Sequence, residues 1–377
     1  MPLESEILII GGGLAGLTAA LHLNKLGLNV TLIEKNTYPH HKVCGEYISN
    51  EVLPYLSWLN LNLKDLWPAS ITNLQFTSSS DKSVTTTLPL GGWGLSRYAL
   101  DDFLYRSAIN RGVNIFQDTV VNINYLDNQF IIETAAGKAF TANHVVGAYG
   151  KRASIDVKLE RKFISKKSEY LAVKAHYTSD FPDNLVSLNN FKGGYCGISK
   201  VENDVLNICY LADYESFKKH KNIAAYQENV LYKNQYLKNI FEKSEMIFDA
   251  PLTISQISFD AKEPVFNHIL MIGDTAGLIH PLCGNGMAMA IHSGKILSEL
   301  LNKYFKGEIS SRIELEKKYT ANWKSIFRTR LKTGRLLTSL LRNETLENFA
   351  MNSLSRMPFV LNKLIKYTHG QPIPISR

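Results

Sequence analysis

Nothing in this chain of 377 residues announces a metal site or a disulfide framework. Its four cysteines, Cys44, Cys196, Cys209 and Cys283, form no CxxC pair and show no Cys/His zinc spacing, so neither a structural metal nor a set of staples is expected. His40 and His41 have no suitably spaced carboxylate or cysteine partner, which argues against metal ligation there. Long apolar runs are lacking too: no stretch approaches the roughly 18 residues of a membrane-spanning helix, and an apolar strand beginning by Ile7 leaves no room for a signal peptide. A cytoplasmic protein is the expectation. Internal repeats are absent, and only the short Ser78–Ser80 run is of low complexity.

Acidic residues are scarce in one region. Residues 301–377 hold 15 Lys and Arg against 5 Glu and no Asp, a net +10, so the overall charge of +8 belongs to this tail and the first 300 residues are close to neutral. From Trp323 onward, Ile326, Phe327, Leu331, Leu337 and Leu341 make an apolar stripe at helical spacing, while Lys324, Arg328, Lys332 and Arg335 line another face. Two readings stand side by side: a surface helix that covers the core with a solvated basic face, or peripheral contact of 312–342 with the inner face of a membrane rich in anionic lipid. Nucleic acid is not expected, because no RRM, KH or helix-turn-helix pattern accompanies the charge. With 45% hydrophobic and 20% charged residues, the chain reads as an ordinary globular protein of two or three lobes.

The stretch Ile7–Gly16, ILIIGGGLAG, is the organising motif. A buried strand runs into Gly11, Gly13 and Gly16, and Ala15–Lys25 reads as the helix that a GxGxxG turn requires. Gly11 permits the tight turn, Gly13 clears the approach of a pyrophosphate, and Gly16 lets helix and strand pack closely. The helix N-terminus then faces the phosphates with unpaired N–H groups and the positive end of its dipole. Glu34, closing the strand Val30–Glu34, stands where an acidic side chain meets a ribose 2′-hydroxyl, which favours an adenine dinucleotide without a 2′-phosphate.

Downstream, PHHKVCGE (Pro39–Glu46) would cross the nucleotide before a helix starting near Ser49, with Lys42 either neutralising a phosphate or solvated, and Cys44 either near a bound ring or a small buried hydrophobe. Asn73–Ser78 and Val84–Leu90 read as a hairpin, and Ser96–Gly112 as a helix. Arg97 at that helix's N-terminus opposes the dipole and needs an anion, supplied by Asp101 at i+4 or by a ligand. A meander over 114–141 leads to the strand His144–Gly147 and to Gly150, Lys151 and Arg152 at a phosphate-lined crevice. From Arg161 the texture changes: Tyr170–His176, Leu185–Leu188, Tyr195–Ser199 and Val205–Leu211 alternate as strands of an antiparallel sheet packed on one face, a substrate platform. The chain re-enters the first domain at His268–Ile272, followed by GDTAG (Gly273–Gly277), the loop His280–Gly286 and a helix from Met287 to about Lys303. Asp274 can accept hydrogen bonds from a polyol, and Gly284, Asn285, Gly286 and Met287 aim helix N-terminal amides at whatever lies above.

These motifs in this order, with GAYG (Gly147–Gly150) in place of the usual GADG, resemble the single-Rossmann FAD-dependent oxidoreductases: the para-hydroxybenzoate hydroxylase-like monooxygenases and the geranylgeranyl reductase-like flavoproteins. The KxCG element at Lys42–Gly45 and the Arg97 helix resemble the reductase branch most closely. The resemblance implies an α/β fold, with a Rossmann-type FAD-binding domain built from 1–72, 96–160 and 263–303. It also implies an inserted antiparallel β-sheet substrate domain (a hairpin at 73–95, then 161–262) and a basic helical region at 304–377. It implies FAD contacts from Gly11, Gly13, Ala15, Gly16, Glu34, Lys35, Lys42, Cys44, Arg97, Val121, Gly150, Asp274, Gly284, Asn285, Gly286 and Met287, with Cys44 the candidate for catalysis and no metal. Tyr149 replaces the acid of the GADG element, which puts NAD(P)H handling by that route in doubt and leaves another reductant or a separate electron-donor protein open. Glu46 stands where many of the reductases continue with glycine.

Two activities follow from the resemblance. A monooxygenase would hydroxylate a lipophilic, phenolic or polyketide-derived substrate through a C4a-hydroperoxyflavin, and this reading leads narrowly; a reductase would saturate C=C bonds of a prenyl or other lipid. The absence of a WxWxIP stretch argues against the halogenase relatives, and a membrane-docked FAD protein without turnover is the remaining alternative.

Overall fold

The computed structural model describes residues 2–166, 169–341, 347, 351 and 358–375. Its first layer is a sheet whose parallel core has the order Ile269–Met271, Ala139–Gly147, Leu3–Ile10, Val30–Glu34, Asn114–Gln117. The central strand is an apolar run because both faces are covered: Ile7, Leu8 and Ile9 are wholly buried. The helix Leu14–Lys25, buried along ten of its residues, packs against the long helix Gly286–Phe305, so the first and last nucleotide motifs meet. An antiparallel meander, Val120–Leu126 and Gln129–Thr134, is appended to the start of Ala139–Gly147.

The second layer is a nine-stranded sheet. Its order runs Glu245–Met246, Tyr170–Thr178, Leu206–Asp213, Gly194–Lys200, Leu185–Phe191, Ala69–Thr77, Ser83–Gly94, Tyr47–Ser49, with Leu252–Ile257 also on Tyr170–Thr178. The hairpin at Ala69–Gly94 and the later strands therefore form one surface. The four strands read as antiparallel are so paired, and the hairpin joins them through one parallel seam, Leu185–Phe191 with Ala69–Thr77. Alternation of side chains is the same in both pairings, so the pattern could not separate them.

One correction concerns Ser49. Instead of opening a helix, Tyr47–Ser49 is a short strand paired with Ser83–Gly94, and the helix begins only at Leu53 after a single 3₁₀ turn. Ser49 Oγ accepts from Glu51 N, so it does cap a turn, but the turn is the 3₁₀ one.

The tail forms the helix Arg312–Leu341, with Leu315, Tyr319, Trp323 and Phe327 buried against Gly286–Phe305, and then the helix Pro358–Thr368. Ile326, Leu331 and Leu337 are half-buried, while the side chain of Leu341 lies outside the described residues. Lys324, Arg328, Lys332 and Arg335 are exposed, but Arg330, on the same helix, is buried. No described helix is long and apolar enough to cross a membrane.

Candidate functional site

A cavity of about 590 Å³ is lined by both layers. Its polar end is the glycine turn. Gly11 has φ 106°, and a methyl group there would overlap the Ala148 carbonyl oxygen; one on Gly16 would overlap the Gly11 carbonyl oxygen. These two glycines are fixed by the protein's own packing. Gly13 differs, because a Cβ on it would meet only Arg97 Nη2 at 3.5 Å and Lys42 Nζ at 3.9 Å. The turn, the helix N-terminus and two cations thus surround one small space.

Both cations are paired. Asp101, wholly buried, receives Arg97 through two bonds of 2.7 Å and Lys42 through one of 2.8 Å. Burial pushes the Asp101 carboxyl up, but Arg97 and Lys42 outweigh it and hold the group below its ordinary value. Two cations share one carboxylate, which leaves one positive charge beside the helix N-terminus. Of the two readings of Arg97, the structure shows the pairing with Asp101, and Arg97 also lines the cavity.

Glu34 is buried at the end of its strand. Its Oε2 accepts from Gly12 N at 2.6 Å, and its Oε1 from Asn36 N and Nδ2 at 2.9 Å each, so Oε2 retains a lone pair for a ribose hydroxyl. Ala15 and Lys35 also line the cavity. Val121, on the appended strand Val120–Leu126, is not among the residues that line it. A buried carboxylate at the end of the second strand, a glycine left open and a net cation at a helix N-terminus fit the adenosine diphosphate half of FAD.

Further along, Lys42–Tyr47 crosses the cavity wall. Cys44, half-buried, lines the cavity with Gly45 and with Glu46, which is wholly buried. On the opposite side Gly150 N donates to Thr275 Oγ1 at 2.8 Å, joining the strand ends of two motifs. Lys262 Nζ donates to the carbonyls of Lys151 (2.7 Å) and Asp274 (2.9 Å), and Arg161 Nη1 to that of Thr275 (3.0 Å). Burial lowers the Lys262 ammonium to about 8. These two buried cations hold the loop that carries Asp274 at the cavity surface. Tyr149, replacing an acid, turns its hydroxyl to Met271 Sδ at 3.2 Å.

Gly284, with φ 60°, ends a 3₁₀ turn and opens the helix Gly286–Phe305, and Gly284, Gly286 and Met287 line the cavity. Asn285 contributes its position but not its side chain, which is buried between Glu51 (3.3 Å) and Arg330 (3.1 Å). Burial raises the Glu51 carboxyl, with Arg330 at 3.2 Å acting against it.

The far end of the cavity differs in kind. The nine-stranded sheet contributes Leu74, Leu88, Val186, Leu188, Ile198 and Ile254 among others, and none of the cavity-lining residues it supplies is charged apart from Glu46 at the root of Tyr47–Ser49. The helix Pro358–Thr368 adds Ile365 and Thr368, followed by His369, whose imidazole burial lowers to about 4. Ile373 N donates to Glu51 O at 2.8 Å and fastens this end to the first domain. Neither the wall formed by 365–369 nor the Glu51–Asn285–Arg330 cluster was foreseen, for both depend on residues hundreds of positions apart.

With this geometry in hand, comparison with known proteins is informative. Residues 4–326 match the family model described as FAD binding domain. Among curated proteins, the chain is 23% identical over 342 residues to digeranylgeranylglycerophospholipid reductase 1 of Methanosphaera stadtmanae, covering 84% of this chain and 80% of that protein. Among solved structures, a flavin-dependent brominase superposes with TM-score 0.79 at 18% identity, covering 97% and 93% of the two chains. A geranylgeranyl bacteriochlorophyll reductase-like protein from Thermoplasma acidophilum gives 0.67 at 19% identity, covering 100% and 94%. At such identities the structural likeness establishes a common fold, and the chemistry has to be argued from the site.

Proposed function

The chain belongs to the FAD binding domain family and is an FAD-dependent oxidoreductase, and from that premise we propose that it saturates C=C bonds of a prenyl or similarly long aliphatic lipid. The carrying observation is the uncharged, largely aliphatic wall that the sheet presents to the cavity, continuous with the Cys44–Gly45 turn. A hydrocarbon chain buries its surface there at roughly 25 cal/mol per Å². This reverses the narrow preference for oxygen insertion that the motifs gave alone. The similarity to the Methanosphaera reductase over most of both chains supports the same choice.

Bound FAD supplies the hydride chemistry. The chain's own part is to hold the diphosphate between Gly13, Arg97 and Lys42, to keep Glu34 at the ribose and Asp274 at the ribityl chain, and to exclude water from the aliphatic chamber. Cys44 Sγ is the candidate proton source for the carbon that does not receive hydride. The outer face of Arg312–Leu341, with Lys324, Arg328, Lys332 and Arg335 exposed, is proposed to rest on anionic lipid, from which such a substrate would be drawn.

Oxygen insertion is the second reading, favoured by the helix N-terminus at Gly286–Met287 beside the cavity, which suits a flavin carrying negative charge. The two separate under air with isotopically labelled oxygen, dithionite-reduced enzyme and a polyprenyl lipid. Reduction yields a product with added hydrogen and no label; labelled product would establish the second reading instead.

A further inference from the structure

Glu46 is the residue of the KVCGE segment that the activity above leaves unused, and its surroundings are unusual. It has φ 55°, in the left-handed region that a side chain enters at a cost. Its carboxylate is wholly buried and receives three donors: Lys174 Nζ at 2.6 Å, His176 Nε2 at 2.7 Å and Arg97 N at 2.8 Å. Lys174 is itself wholly buried, and His176 nearly so. Lys174 and His176 stand on the strand Tyr170–Thr178 of the large sheet, whereas Arg97 opens a helix of the cofactor domain. One carboxylate therefore joins three elements. Meanwhile the Glu46 N–H donates to Cys44 Sγ at 3.4 Å, and the Glu46 carbonyl accepts from Leu95 N at 2.9 Å.

We propose that Glu46 is a positioning residue for Cys44: its three-way anchored carboxylate fixes the left-handed turn that directs the Glu46 amide at the thiol and keeps that thiol on the cavity wall. A glycine at this position would adopt the turn freely but would leave it unanchored. The charge balance agrees, since Glu46 against Lys174 makes a neutral buried pair, while Arg97 and Lys42 are already bound by Asp101. Removing Glu46 alone would strand a buried ammonium, so the lock is best opened in charge-neutral fashion.

The role of the thiol rests on the reductase reading, but its positioning does not, and the two are tested separately. In FAD-loaded protein, the rate of Cys44 alkylation by iodoacetamide is followed against pH by mass spectrometry of its peptide. Glu46→Gly with Lys174→Met should raise the alkylation midpoint by about half a pH unit or more, because an N–H donated to sulfur favours the thiolate. Glu46→Gln with Lys174→Met, which keeps an oxygen acceptor for Arg97 N and offers an amide N–H to the other tautomer of His176, should restore most of the wild-type profile. If the glycine pair does not fold, Glu46→Asp keeps the charge, shortens the reach and should move the midpoint in the same direction. With a polyprenyl substrate, the glycine pair should lose about tenfold or more in kcat with KM nearly unchanged. Folded variants, whether glycine pair or Glu46→Asp, with a wild-type alkylation profile overturn the proposal. A shifted profile in a protein without prenyl turnover upholds the lock and removes only the reductase reading.

Discussion

Gly13 is the glycine of the turn whose missing side chain leaves room for something other than the protein. Its backbone, φ −86° and ψ −171°, suits any residue, and no protein backbone crowds it. Gly13→Val should therefore fold with near wild-type stability and lose FAD affinity by about a hundredfold or more, because the isopropyl group fills the space shared with Arg97 and Lys42. Isothermal titration of apoprotein with FAD checks this, and a variant that purifies with stoichiometric FAD refutes it. Asp101 offers the complementary case. Asp101→Asn leaves two cations with no carboxylate, a loss of about 3 to 5 kcal/mol by analogy with broken buried pairs. The apoprotein should melt well below wild type, and saturating FAD should raise its melting temperature by a larger increment than in wild type, since the diphosphate restores the missing negative charge. The packing roles of Gly11 and Gly16 were legible in sequence because they are local to one strand-turn-helix. Asp101 was legible as the i+4 partner of Arg97, whereas its bond to Lys42 depended on a fold that brings residues 59 positions apart together.

At the scale of elements, strands were read better than their partners. Alternation revealed the pieces of the large sheet, yet not the parallel pairing of Leu185–Phe191 with Ala69–Thr77, and Tyr47–Ser49 was too short to signal a strand. The tail helix was legible as an amphipathic stripe. Tyr319, Trp323 and Phe327 are buried on the protein, whereas Lys324, Arg328, Lys332 and Arg335 are exposed, Arg335 also donating to the Phe259 carbonyl at 3.5 Å. Each exposed cation contributes about 1 kcal/mol near an anionic surface. The protein should thus co-sediment with phosphatidylglycerol vesicles more than with phosphatidylcholine ones, and moderate salt should release it. Lys324→Glu, Arg328→Glu, Lys332→Glu and Arg335→Glu together should abolish the difference; binding indifferent to vesicle charge and salt would show a merely solvated face.

The whole molecule carries several histidines folded in neutral form. Burial, aided by nearby Lys and Arg charge, lowers His22, His144 and His292 each to about 3. Their unfolded counterparts titrate near 6.5, so below that pH the unfolded chain binds protons that the native one refuses. Stability from these groups is complete above about pH 6.5 and is lost as pH falls from there toward 3, at about 1.4 kcal/mol per pH unit for each histidine. Guanidinium unfolding at pH 7.5 and pH 5 should show a marked drop in midpoint, and these three rings should contribute about three of the protons taken up on unfolding near pH 5. An equal midpoint at the two pH values would contradict this assignment of neutral buried rings.

The cavity runs from a charged end at the glycine turn to an uncharged, largely aliphatic end, and a single anaerobic turnover tests the proposed reduction of a lipid there most directly. FAD-loaded protein is reduced with one equivalent of dithionite without oxygen and mixed with a polyprenyl lipid in detergent, while flavin absorbance and product mass are recorded together. The account predicts that the flavin reoxidises only when the lipid is present, and that the lipid gains hydrogen across its double bonds in proportion to the flavin consumed. Flavin that stays reduced with the lipid and reoxidises only on admitting oxygen, with oxygen then found in a product, would contradict it.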